Sequence, residues 1–209
     1  MRDAGFTVFI VDDEPHVLRA LSRLVTAVGY QSRTFSSAHE FLADHDPFVP
    51  GCAVLDVAMP DVDGLRLQTM LSAGRIDRPI IFITGRGDIT TSVRAMKAGA
   101  IDFLTKPVHD EDLIAAIERA REVETKALQA RSEIASILTR LATLTPRERQ
   151  VLPHVVAGWL NKQTAGKLGT SEKTIKVHRA RMMRKLRIRT VQDLVRLAER
   201  AGIEPIEAR

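Results

Sequence analysis

One cysteine, Cys52, occurs in 209 residues, so the chain can form no intrachain disulfide. That usage fits a reducing cytoplasm, and Cys52 itself reads as a small buried residue rather than a reactive one. Long apolar runs are missing too, since nothing approaches the roughly 18 residues of a membrane span. The opening MRDAGFTVFIVDDE runs straight into two aspartates and a glutamate, which does not suit a secretory signal. These absences predict a soluble, cytoplasmic protein with no membrane partner. What is present is ordinary for a globular chain, with 44% apolar and 27% charged residues. The length allows one large domain or two small ones, each with a real core.

Charge separates the halves. Residues 1–124 hold 13 Lys+Arg and 19 Asp+Glu, a net of −6, whereas residues 125–209 hold 18 and 7, a net of +11. From Lys162 to Arg189 there are ten basic residues and a single acidic one, Glu172. A charge run can be no more than a solvated face, but ten to one in 28 residues favours two domains, the second with a polyanionic partner such as nucleic acid.

In the first half, short runs rich in β-branched or aromatic residues alternate with helical spacing. TVFIV (7–11), QSRTF (31–35), CAVL (52–55), PIIFIT (79–84) and AIDFL (100–104) read as strands. Val17, Leu18, Leu21, Leu24, Val25 and Val28 share one helix face. Leu65, Leu67, Met70 and Leu71 suggest a second helix, Val93, Met96 and Lys97 a third, and Leu113, Ile114 and Ile117 begin a fourth. This alternation predicts an α/β domain over 1–124, built of βαβ units on a parallel sheet. Ligands of such sheets gather at the carboxyl ends of the strands.

No Gly or Pro interrupts the chain between Pro107 and Pro146. Good helix formers fill 110–142, with a 3-4 apolar spacing broken by Glu124 and Arg131, so a long single or weakly paired helix is expected rather than a strong coiled coil. If continuous it would extend about 50 Å, and residues 125–142 read as an interdomain linker. The second domain, 143–209, opens on LTPRERQ. There Thr145 is an N-cap, Pro146 suits the first helical turn and Glu148 completes a capping box. Helical segments follow at about 147–157, 162–168, 172–186 and 191–201. Four helices, small and basic, make an all-α helix-turn-helix candidate. Pro153 falls inside the first of these segments and removes a backbone donor, which predicts a kink or an early break.

The strand ends carry the chemistry. Asp12 and Asp13 follow strand one, Asp56 ends strand three, Thr84 ends strand four, and Lys106 ends strand five before Pro107. Three carboxylates at one sheet edge repel one another unless a cation neutralises them. A hard divalent ion such as Mg²⁺ does so with oxygen ligands, and one carboxylate beside it can act as a nucleophile toward a phosphoryl group. Thr84 and Lys106 would then bind the phosphoryl oxygens. Singly, a DD pair is also a solvated turn, Thr84 a strand cap and Lys106 a surface lysine. The signal is all five at matching strand ends.

VDDE (11–14), LDVAMPDVDG (55–64), ITG (83–85) and FLTKP (103–107) resemble a two-component receiver domain over about residues 6–122. The resemblance implies a flavodoxin-like, five-stranded parallel sheet flanked by helices, with Asp56 as acceptor of phosphate from a sensor histidine kinase. It implies Mg²⁺ (with Mn²⁺ as a possible substitute) held directly by Asp13, Asp56 and the backbone carbonyl of Ala58, with Asp12 acting partly through water. Thr84 and Phe103 match the family's switch pair. Phe103 lacks the phenol of the common tyrosine, so its switching would rest on packing, and a plain core aromatic is its other reading. Ala58 and Arg86 match positions that tune phosphate lifetime.

LTPRERQVL and GWLNKQTAGKLGTSEKTIKVHRARMMRKL are similar to the LuxR-type helix-turn-helix over about residues 142–203. Together the halves resemble response regulators of the FixJ/NarL type, which implies promoter DNA, RNA polymerase and, once phosphorylated, a second copy as partners. In family terms Lys176, Val177 and Ala180 face the bases, with Ala180 in place of the usual polar or basic residue. Spacing alone puts Lys173, Lys176 and Arg179 or Ala180 on one face, and Ile175, Met182 and Leu186 toward the core. Asn161, Lys162, Thr174, Arg181, Arg184 and Lys185 read as phosphate contacts, which position without specifying sequence. His178 has no Cys/His partners at zinc spacing. Trp159 and Thr164 depart from the small or aliphatic residues usual at their positions. Val191, Leu194, Val195 and Ala198 match the family's dimer surface, though they could equally be core.

The expectation is therefore a phosphorylation-dependent transcriptional regulator that is not an enzyme beyond its own phosphorylation and dephosphorylation at Asp56. One alternative is a constitutive DNA binder whose receiver is a scaffold. Another is an aspartyl-phosphate phosphohydrolase, against which Ala58 stands where a general acid would be needed.

Overall fold

The computed structural model describes residues 5–74, 76–85 and 89–206. Contacts divide the chain after Ala127 into two units. The first contains β1 (Thr7–Val11), α1 (Pro15–Ala27), β2 (Gln31–Phe35), α2 (Ala38–Asp44), β3 (Gly51–Asp56), α3 (Gly64–Ala73), β4 (Ile80–Thr84), α4 (Ile89–Lys97), β5 (Asp102–Thr105) and the start of α5 (Asp110–Ala142). Every strand pairing is parallel, in the order β2-β1-β3-β4-β5.

β1, β3 and β4 are buried along their whole length, and alternate residues feed two apolar layers. Phe9, Val11, Leu55 and Phe82 face one layer with Phe41 of α2, Leu67 and Leu71 of α3 and Ala95 of α4. Val8, Ile10, Val54, Ile81 and Ile83 face the other, with Leu21 and Val25 of α1 and Leu113, Ile117 and Ala120 of α5. The expected five-stranded parallel sheet flanked by helices is therefore the fold of this unit.

Two helix starts show how local chemistry shapes this unit. A Cβ on Gly64 would stand 2.4 Å from the backbone oxygen of Asp56, so only glycine lets α3 begin against the end of β3. α2, by contrast, is not apparent from apolar spacing. It has seven residues, of which Ala38 and Phe41 are buried. Its sequence signal is the cap: Ser37 Oγ accepts from the Glu40 amide at 3.2 Å, and Glu40 Oε2 accepts from the Ser36 amide at 2.7 Å.

Cys52 is fully buried in β3, and burial pushes its thiol up to about 12. A thiol that is neither accessible nor ionised is a poor nucleophile. Ellman's reagent is expected to leave Cys52 unmodified in the native protein and to titrate one thiol in denaturant; rapid native reaction would contradict this packing.

The second unit takes residues 128–142 of α5 together with α6 (Pro146–Val156), α7 (Asn161–Leu168), α8 (Glu172–Leu186) and α9 (Val191–Arg200). α5 runs unbroken for 33 residues. Its Ile137 and Leu141 pack with Leu144, Val151, Leu152, Val155, Ile175, Met182, Leu186 and Leu194, so this stretch supplies core as well as connection. The capping box at Thr145 and Glu148 forms, and Ser171 caps α8 by accepting from the Thr174 amide at 3.2 Å.

The early break expected at Pro153 does not occur. α6 continues to Val156, and the Ala157 amide donates to the Pro153 carbonyl at 3.0 Å. Leu152 and Val155 on either side are buried, and this packing outweighs the one donor that proline lacks. The buried Thr164 hydroxyl donates to the Leu160 carbonyl at 3.2 Å. Trp159 stands edge-on to His154, with ring centroids 5.0 Å apart.

Candidate functional site

Asp12 and Asp13 lie just past β1, Asp56 is the last residue of β3, Thr84 the last of β4, and Lys106 the first after β5. In a parallel sheet these ends share one edge, and the structure brings all five side chains to it. Asp13, Asp56, Ala58, Thr84 and Lys106 line a cavity of about 450 Å³ together with Glu14 and Thr91. Asp12, Asp56 and Thr84 are 0%, 3% and 1% exposed. The peptide between Lys106 and Pro107 is cis.

The lysine is shared. Its Nζ lies 2.7 Å from Asp12 Oδ2, 3.0 Å from Glu14 Oε1 and 3.4 Å from Asp56 Oδ1. Asp12 also accepts from the Glu14 amide at 2.9 Å through Oδ1. Sequence reasoning misses Glu14, because nothing in the DDE run shows which acid reaches a lysine 92 residues away. Burial holds the Asp56 carboxyl above its ordinary value; Lys106 opposes this, and Asp12 and Asp13 add to it. Burial would lower the Lys106 ammonium, but Asp12, Glu14 and Asp56 together raise it above its ordinary value. Lys106 in turn lowers the Glu14 carboxyl.

Asp12, Asp13 and Asp56 each offer a carboxylate oxygen, all within 4.8 Å of one another. Asp12 Oδ2 and Asp56 Oδ1 are buried and receive no well-aligned hydrogen bond, Lys106 being near them only at ion-pair distance. Buried oxygens lacking directed donors fit a hard divalent cation. Phe103 is half-buried on β5, its ring centroid 6.2 Å from that of Phe82. Arg86 lies outside the described residues.

In the second unit α8 buries Ile175, Met182 and Leu186, and half-buried Met183 packs on the same core. Lys173, Thr174, Lys176, Val177, Ala180, Arg181 and Arg184 are exposed on it, as is Lys162 on α7. Half-buried Arg179 donates to the Asn161 side-chain oxygen at 3.4 Å, tying α8 to the start of α7. Lys185 differs from the rest. Its Nζ donates to buried Glu148 at 2.7 Å and to the Thr143 carbonyl at 3.0 Å, so its charge is already used inside the domain. Leu194 and Ala198 are 0% exposed in their own domain's core, with Val191 and Val195 half-buried. The apolar face of α9 is taken up by folding, which removes Leu194 and Ala198 from any surface.

α8 ends on Arg187 at φ 57, in the left-handed region. That conformation strains a residue with a side chain and does not strain glycine. Arg187→Gly is expected to raise stability by about 0.5 kcal/mol in urea unfolding, the residue being exposed; a loss would show that its side chain makes a contact outweighing the strain.

Residues 8–118 match the response regulator receiver domain family, and residues 142–198 match the luxR family of bacterial regulatory proteins. The response regulator protein TmoT of Ectopseudomonas mendocina is 46% identical over 200 residues, covering 96% of this chain and 91% of that one. The transcriptional regulatory protein FixJ of Rhizobium meliloti is 43% identical over 200 residues, covering 96% and 98%. Among solved structures, response regulator StyR superposes with a TM-score of 0.82 at 44% identity, over 94% of this chain and 99% of that chain. Full-length FixJ from B. japonicum gives 0.58 at 38% identity, over 96% and 99%. With the acidic sheet edge in one unit and the basic helix in the other, and relatives matching nearly end to end, the chain belongs to the two-component response regulators that join a receiver to a LuxR-type DNA-binding domain.

Proposed function

We propose that this regulator is controlled by phosphorylation of Asp56 by a cytoplasmic sensor histidine kinase, and that the phosphorylated form dimerises and binds promoter DNA, where it meets RNA polymerase. The observation that carries this reading is the buried Asp56 carboxylate facing an open cavity with Thr84 and Lys106 on its walls.

Asp13, Asp56 and the Ala58 carbonyl would hold Mg²⁺ or Mn²⁺, with Asp12 partly through water. When bound, the ion neutralises the carboxylates and the oxygens of the incoming phosphoryl group. An Asp56 oxygen attacks phosphorus, so an O–P bond forms as the P–N bond to the kinase imidazole breaks and the imidazole leaves with the bonding pair. The Lys106 ammonium and the Thr84 hydroxyl take two phosphoryl oxygens by charge-assisted hydrogen bonds. Thr84 moves inward as it does so, and the Phe103 ring follows into the space vacated. Ala58 supplies no carboxylate to take the proton of an attacking water, which favours a held phosphoryl group over turnover.

Dimerisation has a candidate surface on α4. Ile89, Val93 and Met96 recur at helical spacing and are 82%, 45% and 46% exposed, an apolar stripe that its own domain leaves uncovered. Mixing the protein with Mg²⁺ and acetyl phosphate should add one phosphoryl group by intact mass, shift sedimentation toward a dimer and tighten binding to promoter fragments. Phosphorylation without change in either oligomer state or affinity would leave a constitutive DNA binder instead.

A further inference from the structure

The second unit leaves one apolar groove open to solvent. It has a volume of about 390 Å³ and is bounded by the end of α5, by α6 and by the chain after α9. Leu138, Leu141, Leu152, Pro153 and Ile203 are on its walls, and among the described residues Arg149 is the single charge that lines it. Leu138 is 52% exposed. The core does not require it, since Ile137 beside it and Leu141 one turn on already pack there.

Arg149 brings polar groups to these apolar walls. Its Nη2 donates to the Ala142 carbonyl at 3.3 Å, which holds the guanidinium at the rim. That uses one of five N–H donors, and among the described residues no carboxylate pairs with it. Pro153 acts on the same residue through the backbone. Having no amide hydrogen, it cannot supply the donor that a regular helix would give the Arg149 carbonyl one turn back.

A concave site of this volume, mostly apolar with a few polar groups at one place, is the form that small-molecule sites take. A guanidinium with donors to spare selects a carboxylate, which it can bind through two parallel hydrogen bonds. We propose that this groove binds a small carboxylic acid with an apolar body, its carboxylate on Arg149 and its body against Leu138, Leu152, Pro153 and Ile203. Such a ligand would brace the last turns of α5 against α6, an input to this domain that needs no phosphate on Asp56.

The test titrates full-length, unphosphorylated, ¹⁵N-labelled protein and follows amide chemical shifts. The probes are phenylpropionate, phenylpropanol (the same body without the charge) and acetate (the charge without the body). Phenylpropionate should saturate with a Kd on the order of 1 mM, a few tenths of a kcal/mol per heavy atom. Phenylpropanol should bind about fivefold more weakly, the ratio for one exposed charge-assisted contact. Acetate should not saturate. Arg149→Gln should bring the two Kd values together, whereas Leu138→Ala should weaken both alike by about threefold. Binding that survives both substitutions lies elsewhere and overturns the proposal, as does failure of every probe to saturate. Sedimentation of the same proteins identifies the other occupant. If dimers form with rising concentration, vanish in Leu138→Ala and exclude the probes, the groove is an interface between copies and the small-acid site falls.

Discussion

Asp56→Asn is expected to take up no phosphoryl group from acetyl phosphate, and its receiver is expected to melt higher than that of the parent protein when both are held in EDTA at neutral pH. The first half follows from removing the nucleophilic oxygen. The second follows from burial. The Asp56 carboxyl is held above its ordinary value of 3.8, chiefly because it is buried, against the pull of Lys106. An acid that binds its proton more tightly when folded contributes most stability below its unfolded value, and that contribution is lost as pH rises through the folded value. At neutral pH the carboxylate is thus destabilising, which the amide avoids at nearly the same size. The gain should be on the order of 1 kcal/mol, about 4 °C in Tm for a domain of this size. The two melting points should approach one another as pH falls toward about 4. A parent protein that melts no lower than the variant at neutral pH would mean that Lys106 fully compensates the charge.

Lys185→Ala should be the most destabilising alanine substitution among the basic residues of α8. Glu148 is 2% exposed, and burial would raise its carboxyl. Lys185, with the Thr145 amide and hydroxyl, outweighs that and holds it below the ordinary 4.5. In the parent protein Glu148 therefore adds stability above that ordinary value, lost as pH falls through the lowered folded value. Without Lys185 burial is opposed only by Thr145, the carboxyl moves up, and the stability gained above its ordinary value is expected to shrink. Removing one partner of a fully buried pair costs about 3–5 kcal/mol. Lys185 is one-third exposed, so about 2 kcal/mol is expected in urea unfolding near neutral pH. Glu148→Gln should cost less, because the amide oxygen can still accept from the Thr145 amide and Lys185 can turn to water. If Lys185→Ala kept the parent's stability and pH slope but weakened DNA binding, the lysine would be a phosphate contact after all.

The receiver is legible in the sequence because its signals are local. Apolar runs of four to six residues mark β1, β3 and β4, and Asp12, Asp56, Thr84 and Lys106 sit at strand ends, where a parallel sheet must gather them. α2 escapes because two buried side chains in seven residues give no period, leaving only the Ser37 and Glu40 cap. The pairings of Lys106 with Glu14 and Lys185 with Glu148 escape because a basic residue's partner is chosen by packing, not spacing. α9 shows the same limit. An amphipathic stripe reads alike whether it covers a neighbour or its own core, and burial of Leu194 and Ala198 resolves it toward the core. Pro153 misleads for a related reason, since local propensity predicts a break that the packing of Leu152 and Val155 overrides.

The sharing of Lys106 between Asp12 and Glu14, 92 residues apart in the second case, has a consequence for the order of events during synthesis. The first aspartates emerge from the ribosome early, but the lysine that completes the pocket comes only with the last strand, β5. Contacts this distant in sequence close late, after the costly loop closures between them. On the proposed function, a nascent or misfolded chain would hold Asp56 without its pocket and would accept no phosphoryl group. Competence to be phosphorylated would then double as a report that the whole sheet has formed.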